Sequence, residues 1–384
     1  MKGYGDPVYI NVNYAFNDNP PYITMKSGLK NSVASYRRDF TLPENWQDYK
    51  ILLHFEGIYS AAYVYVNGQY VGYTQGANNE SEFDISSVAQ FGKTNNVSVQ
   101  VIRWTDGSYL EGQDMWHMSG IHRDVYITAV PKTHIRDHYF VSTLSSQKQY
   151  AAGKLTASYT VRNTSGSANS RTVRTRLYAP NGTLVKEQTG NVSFENGEYE
   201  KEVSVVLDNL TSLQNWSAET PNLYTVETAL LNGSKEEEAF STKHGFRSVE
   251  IKSNNNGRAV FINGQRVFFK GVNTQDTHPL YGRSIDTATM LKDIQIMKQA
   301  NVNTVRCSHY PRQHRMYSMF DYYGLYAVDE ADLECHKNWE DGASMTASES
   351  WQPAYVDRET RMVLSHRNFP SIVFWSLGNE SGGG

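Results

Sequence analysis

The rhythm of apolar residues changes once along the 384 residues, and that change limits the fold more than any other feature. Up to the hairpin Ile262-Asn263-Gly264-Gln265 the chain reads as short alternating runs split by turns, the pattern of two-sided antiparallel sheets. After it the order becomes strand, helix, strand, helix, which implies a parallel sheet covered on its faces. At roughly 100 to 200 residues per domain the length holds two or three such units. The expected class is multidomain, β first and α/β after.

Between Val33 and Val130 the runs Tyr36 to Phe40, Ile51 to Phe55, Ala61 to Val66, Val97 to Trp104 and Asp124 to Ala129 are predicted strands. Asn67-Gly68 between two such runs supplies the positive φ values of a two-residue type I′ turn, with Val64 and Val66 on one face and Tyr63 and Tyr65 on the other. A second all-β stretch, 132–245, has turn signals at Asn163 to Gly166, Pro180-Asn181-Gly182 and Asn232-Gly233, and its size suits one immunoglobulin-like sandwich.

The last third, 246–384, carries the chemistry. Val267 to Val272 is an apolar run, and Asp286 is placed to cap a helix whose Met290, Leu291, Ile294 and Met297 recur at helical spacing. Strand Thr304 to Cys307, helix His314 to Tyr323, strand Leu325 to Val328, a helix around Ala354 to Ser365 and strand Ser371 to Leu377 follow. Four strands of this kind fit either a doubly wound sheet or an eight-fold barrel. No Gly-x-Gly-x-x-Gly or phosphate-loop lysine follows a strand, which disfavours nucleotide binding.

In both architectures active sites lie at the carboxyl ends of the strands. Those ends carry Asn273 with Asp276 and His278, then Arg306 to Tyr310, then Asp329 to His336, then Asn379-Glu380. An extended backbone past Val328 would set Glu334 and His336 on one face with Cα atoms roughly 6.6 Å apart, near enough to share a cation. With Glu380 from the next strand, two carboxylates and an imidazole suit Mg²⁺ or Mn²⁺; the bland alternative is a solvated acidic loop. A glutamate beside an amide at Asn379-Glu380 is what a retaining glycosidase uses, an acid for the leaving oxygen and an amide for the 2-hydroxyl; for an isolated Asn-Glu pair a simple turn is the commoner reading. His278 and His309 divide evenly between hydroxyl contact and structural bonding. Arg306 is either a structural ion pair or the group that keeps a nucleophilic carboxylate ionised.

Composition narrows the field further. A net charge of -4 without long single-sign blocks gives no nucleic-acid or anionic-membrane surface. Two cysteines cannot build a disulfide framework, and no stretch approaches the ~18 apolar residues of a membrane span. No apolar segment follows Met1-Lys2-Gly3, so no signal peptide is read; a cytoplasmic location is favoured, a periplasmic one if a leading segment was trimmed. The 26 tyrosines and 7 tryptophans offer faces for sugars but also fill sandwich cores.

Gly271-Val272-Asn273, Val305-Arg306-Cys307-Ser308-His309-Tyr310-Pro311, Tyr326-Ala327-Val328-Asp329-Glu330-Ala331 and Trp375 to Gly382 resemble the barrel motifs of the family 2 β-galactosidases. Tyr4-Gly5-Asp6-Pro7-Val8-Tyr9 with Asn11-Val12, Ser81-Glu82-Phe83-Asp84, and Arg103 to Leu110 running on to Gln113-Asp114-Met115-Trp116 resemble that family's N-terminal domain. The resemblance implies a jelly-roll sugar-binding domain over 1–131, an immunoglobulin-like sandwich over 132–245 and the first half of a TIM barrel over 246–384. It implies a retaining hydrolase of terminal β-galactosides such as lactose. Glu380 would be the acid/base and a magnesium ligand, with Glu334 and His336 completing the protein part of that site. Asn379 would hold the 2-hydroxyl, His278 and His309 would contact the galactosyl unit, Asn11 would reach into the pocket, and Asp114 would touch the sugar and a sodium ion. Related β-glucuronidases share the architecture and the Asn-Glu pair but do not typically carry Glu-x-His.

In that family the nucleophilic glutamate lies on a later barrel strand. The 384 residues are therefore expected to be a fragment, or one piece of a split enzyme, inactive alone and either self-associating or complemented by the rest of the barrel. Two other readings stand beside this one: a carbohydrate-binding fragment without catalysis, and an inverting hydrolase with Glu330 or Asp329 as base.

Overall fold

The computed structural model describes residues 8–254, 257–340 and 345–382, so Tyr4 to Pro7 of the first motif and the terminal Gly383-Gly384 lie outside the described residues. The first unit is two antiparallel sheets face to face. One has the order Val33–Thr41, Thr94–Ile102, Ala61–Val66, Gln69–Gln75; the other Val125–Val130, Lys50–Phe55, Ser81–Asp84. Alternation decides what is buried: Val64 and Val66 are fully enclosed while Tyr63 is 38% exposed, and they pack with Ile51, Leu53, Phe55, Val99 and Val101. The Asn67-Gly68 turn has φ of 51° and 79°, as a type I′ turn requires.

The second unit packs Thr133–Leu144, Ala152–Asn163 and Glu200–Thr211 against a four-stranded sheet ordered Leu184–Phe194, Asn169–Tyr178, Tyr224–Asn232, Lys235–His244. Its core is Leu155, Tyr159, Val161, Val173, Leu177, Val226 and Phe246. Gly166, Gly182 and Gly233 take positive φ at the three turns the sequence marked.

A small sheet, Val249–Asn254, Gly257–Ile262 and Gln265–Arg266, leads into four parallel strands in sequential order: Gly271–Thr274, Thr304–Cys307, Tyr326–Glu330 and Ile372–Ser376. Helices Thr287–Gln299, His314–Tyr323 and Gln352–His366 connect them. Asp286 caps the first, its carboxylate accepting from Thr289 N at 2.8 Å, and Met290, Ile294 and Met297 are buried beneath it with Leu291 half-buried.

Three of the barrel strands begin later than expected, the fourth by one residue, at Ile372 rather than Ser371. The first pairs over Gly271–Thr274 rather than from Val267, because Asn303 occupies the run before it: its side chain accepts from Lys270 N and donates to Phe268 O. The third starts at Tyr326 and runs on to Glu330, because buried partners satisfy its two acids. Asp329 bonds Tyr317 and, at 2.7 Å, His366; Glu330 bonds the rim residues described below. Both cysteines are free and buried, and among the described residues no helix is long and apolar enough to cross a membrane.

Candidate active site

The rim at the ends of the four strands is tied together by one guanidinium. Arg306, on the second strand, grips Glu330 of the third with Nε and Nη2 at 2.7 and 3.0 Å, and its Nη2 also donates to Asn379 Oδ1 at 3.0 Å. His309 Nδ1 lies 2.7 Å from Glu330 Oε1, and Ser376 Oγ donates to Glu330 Oε2 at 2.8 Å. Burial opposes the charge on Glu330, but the hydrogen bonds from His309, Arg306 and Ser376 outweigh it and hold the carboxyl below its ordinary range. Arg306 makes an ion pair with Glu330 and also orients Asn379.

Asn379 passes the order on. Its Oδ1 is taken by Arg306, so the Nδ2 end points away and donates to Glu334 Oε2 at 3.1 Å. An amide nitrogen carries two N–H groups, which leaves one for a sugar hydroxyl. Glu334 is 1% exposed; its backbone N–H donates to Leu110 O and its carbonyl accepts from Gly112 N, both of the first sandwich, while Asn379 N donates to the neighbouring Leu333 O. Glycines make the close approach: a Cβ on Gly112 would lie 3.1 Å from Glu334 O, and one on Gly378, at φ 124°, would lie 2.7 Å from Leu333 O.

Glu334, His336 and Glu380 bring one ligand atom each within 4.8 Å of one another. The backbone reaches this by a different path from the extended run expected, since His336 opens the short helix His336–Glu340. His336 Nδ1 sits 2.9 Å from Glu380 Oε2, and the Glu380 side chain is 44% exposed, open to a ligand from the rim. Glu380 adopts φ 38°, a left-handed conformation uncommon for a residue with a side chain and concentrated at functional sites. Burial, with the charges of Asp114, Glu380 and Glu330, pushes Glu334 up to about 8. Its Oε1 is buried with no partner. Two carboxylates and an imidazole converging on an unpaired buried oxygen fit a hard divalent cation.

The first sandwich reaches this rim through Asp114. Its Oδ1 accepts from Val12 N at 3.1 Å, which brings the exposed Asn11 to the same edge, and its carbonyl accepts from Gln275 Nε2 at 3.3 Å. His278 is placed otherwise. Its Nδ1 accepts from Leu280 N and Tyr281 N at 3.0 and 3.1 Å, its ring stacks on Tyr281, and its described contacts stay within that turn. Sequence reasoning missed Gln275, and it missed Asp332, which accepts from Asn78 N, Asn78 Nδ2 and Gln113 Nε2 and thereby bolts the sandwich to the barrel. The available signal for Asp332 was its place in the acidic run after the third strand.

The three units match family models of one name: "Glycosyl hydrolases family 2, sugar binding domain" over residues 1–131, "Glycosyl hydrolases family 2" over 133–247 and "Glycosyl hydrolases family 2, TIM barrel domain" over 249–384. The chain belongs to glycosyl hydrolases family 2. It is 39% identical over 393 residues to a β-galactosidase of Yersinia pestis bv. Antiqua, an alignment covering 100% of this chain and 36% of that protein. The chain thus spans about a third of the length of the curated relatives it matches. In fold it is similar to a Bacteroides uniformis β-glucuronidase (TM-score 0.80, 24% identity, 90% of this chain and 40% of that one). It is likewise similar to a putative β-galactosidase from Bacteroides fragilis (TM-score 0.77, 20% identity, 91% and 51%). Proteins of this fold thus carry the names of different glycosidases, so substrate has to be read from the site.

Proposed function

We propose that this family 2 chain supplies the acid/base half of a retaining β-galactosidase. The observation that carries the reading is the convergence of Glu380 with Glu334 and His336 beside an Asn379 whose amide is locked by Arg306. Glu380 donates its proton to the glycosidic oxygen as the anomeric C–O bond breaks, while a carboxylate attacks the same carbon from the other face. Glu380 then takes a proton from the water that displaces the carboxylate, which restores both groups. Asn379 Nδ2 holds the 2-hydroxyl, and His309, fixed by Glu330, faces the galactosyl unit. The β-galactosidase relatives and the Glu-x-His run favour galactose over glucuronate.

The attacking carboxylate belongs, in this reading, to a later strand of the barrel. The two flanking strands of the parallel sheet fit that need: they expose Val272 at 38%, Trp375 at 40% and, just past the last strand, Leu377 at 76%, surfaces that further strands or a second copy would cover. Glu330 is saturated by Arg306, His309 and Ser376, and Asp329 faces Tyr317 and His366, so neither is disposed to act as the base of an inverting mechanism.

Glu334, His336 and Glu380 would hold Mg²⁺ or Mn²⁺, which supplies fixed positive charge beside the acid. In the same proposal Asp114 would hold a sodium ion.

The test is hydrolysis of a nitrophenyl β-galactoside. The 384-residue polypeptide alone should show no sustained turnover, whereas a polypeptide extended through the remaining barrel strands should hydrolyse it with a β-configured first product. Glu380→Gln should then cost about 10²- to 10⁴-fold. Preferential cleavage of a β-glucuronide by the extended protein would overturn the galactoside assignment, and turnover by the short chain would overturn the division of labour.

A further inference from the structure

Gln113 stands between the two domains that make the rim and has no part in the proton transfers above. It is fully buried and directly precedes Asp114. Its main chain is fixed inside the sugar-binding domain, where its carbonyl accepts from His117 Nε2 at 2.8 Å. Burial pushes His117 down to about 3, so the ring is neutral at ordinary pH; it donates through Nε2 and accepts the Tyr59 hydroxyl at Nδ1.

The side chain of Gln113 is fixed on the barrel instead. Its Nε2 donates to Asp332 Oδ1 at 3.1 Å and to the His309 carbonyl at 3.3 Å. A carboxamide nitrogen carries two N–H groups, so both are spent. The other end, Oε1, is buried without a partner. A bolt between domains does not require that arrangement, because Asp332 already accepts from Asn78 N and Nδ2 at 3.0 and 2.9 Å. What Gln113 adds is the bond to the His309 peptide, obtained with an unpaired buried oxygen, and such exceptions call for a functional reason.

His309 is thereby held twice, its ring by Glu330 at 2.7 Å and its peptide by Gln113. Asp114 and His309 face the rim from different domains, and one glutamine spans the distance between them. We propose that Gln113 is a positioning residue that sets the reach between Asp114 and His309, so that the two domains close on one galactosyl unit at a fixed separation. The identity of the sugar rests on the galactosidase reading; the coupling of Gln113 to the His309 peptide does not.

The experiment uses the full chain labelled with ¹³C at histidine carbonyls and ¹⁵N in tyrosine. Of the 11 histidines only His138 and His309 precede a tyrosine, so only those peptide units give carbon–nitrogen cross-peaks. Tyr139→Phe removes the first and so identifies the second. Gln113→Met, of similar length but with no N–H, should shift the His309–Tyr310 peak and leave the His138–Tyr139 peak in place. Gln113→Asn, too short for the span, should do the same and serves if the Met variant does not fold. In calorimetry methyl β-galactoside should bind these variants about two- to tenfold more weakly than the wild-type chain, the loss expected for one hydrogen bond. An unmoved His309–Tyr310 peak, movement of both peaks, or a moved peak with unchanged methyl β-galactoside affinity would overturn the inference. A selectively moved peak in a chain that binds no galactoside even as wild type would uphold the coupling and sink the galactosidase reading instead.

Discussion

At the scale of single residues, the rim works by commitment. Arg306 spends both ends of its fork, on Glu330 and Asn379, and so turns an amide of ambiguous orientation into one with a defined donor. What remains uncommitted is the Glu334 Oε1, around which His336 and Glu380 each bring one ligand atom. A ligand that binds only the folded state adds stability by mass action, about 2.7 kcal/mol at a hundred times its dissociation constant. Millimolar Mn²⁺ should therefore raise the melting temperature of the chain. Glu334→Gln, of the same shape but without the charge, should abolish that rise; an unchanged rise in the variant would place the cation elsewhere. The motif Asn379-Glu380 and the Glu334-x-His336 spacing were visible in the sequence, because motifs are local. The ion-pair partner of Arg306 was not legible in the same way, since Glu330 lies 24 residues away.

At the scale of elements, local physics carried most of the barrel half. Asp286 was read as a cap and is one, and helix His314–Tyr323 and strand Thr304–Cys307 lie where periodicity put them. Asp286→Ala removes the acceptor for Thr289 N and should lower unfolding stability by about 1 kcal/mol in denaturant titration, with little change in the slope. The misplaced boundaries share one cause. Val267 to Lys270 is as apolar as a strand, but Asn303 satisfies its backbone, and Asp329-Glu330 is as polar as a loop, but Tyr317, His366, Arg306 and His309 satisfy its carboxylates. Strand limits follow where hydrogen-bonding groups find partners, and those partners come from other elements.

At the scale of the whole molecule, both sandwiches bury histidines. Burial pushes His117, in the first, down to about 3, with the Arg283 and Arg103 charges adding to the effect, and burial beside Arg247 does the same for His244 in the second. The unfolded groups titrate near 6.5, so the unfolded chain binds the extra protons between roughly pH 6.5 and 3. Stability should be unaffected by these groups above that window and fall as pH drops through it, by at most about 1.4 kcal/mol per pH unit for each histidine. His244→Gln, whose amide can still reach Ser142 Oγ, should flatten the acid limb of a stability-against-pH curve; an unchanged limb would show that other groups carry it. The units also depend on each other, since Asp332 of the barrel holds Asn78 and Gln113 of the sandwich, and Gln113 in turn reaches the His309 carbonyl. By itself the sequence determined the succession of sheet and barrel units, the turns, the caps and the identity of the rim residues, because each depends on neighbours a few positions apart. Tertiary structure alone decided which carboxylates are neutralised by partners and which stay free, and which domain clamps Glu334. Those outcomes depend on groups brought together from distant parts of the chain, and the local pattern of residues holds no record of their separation in space.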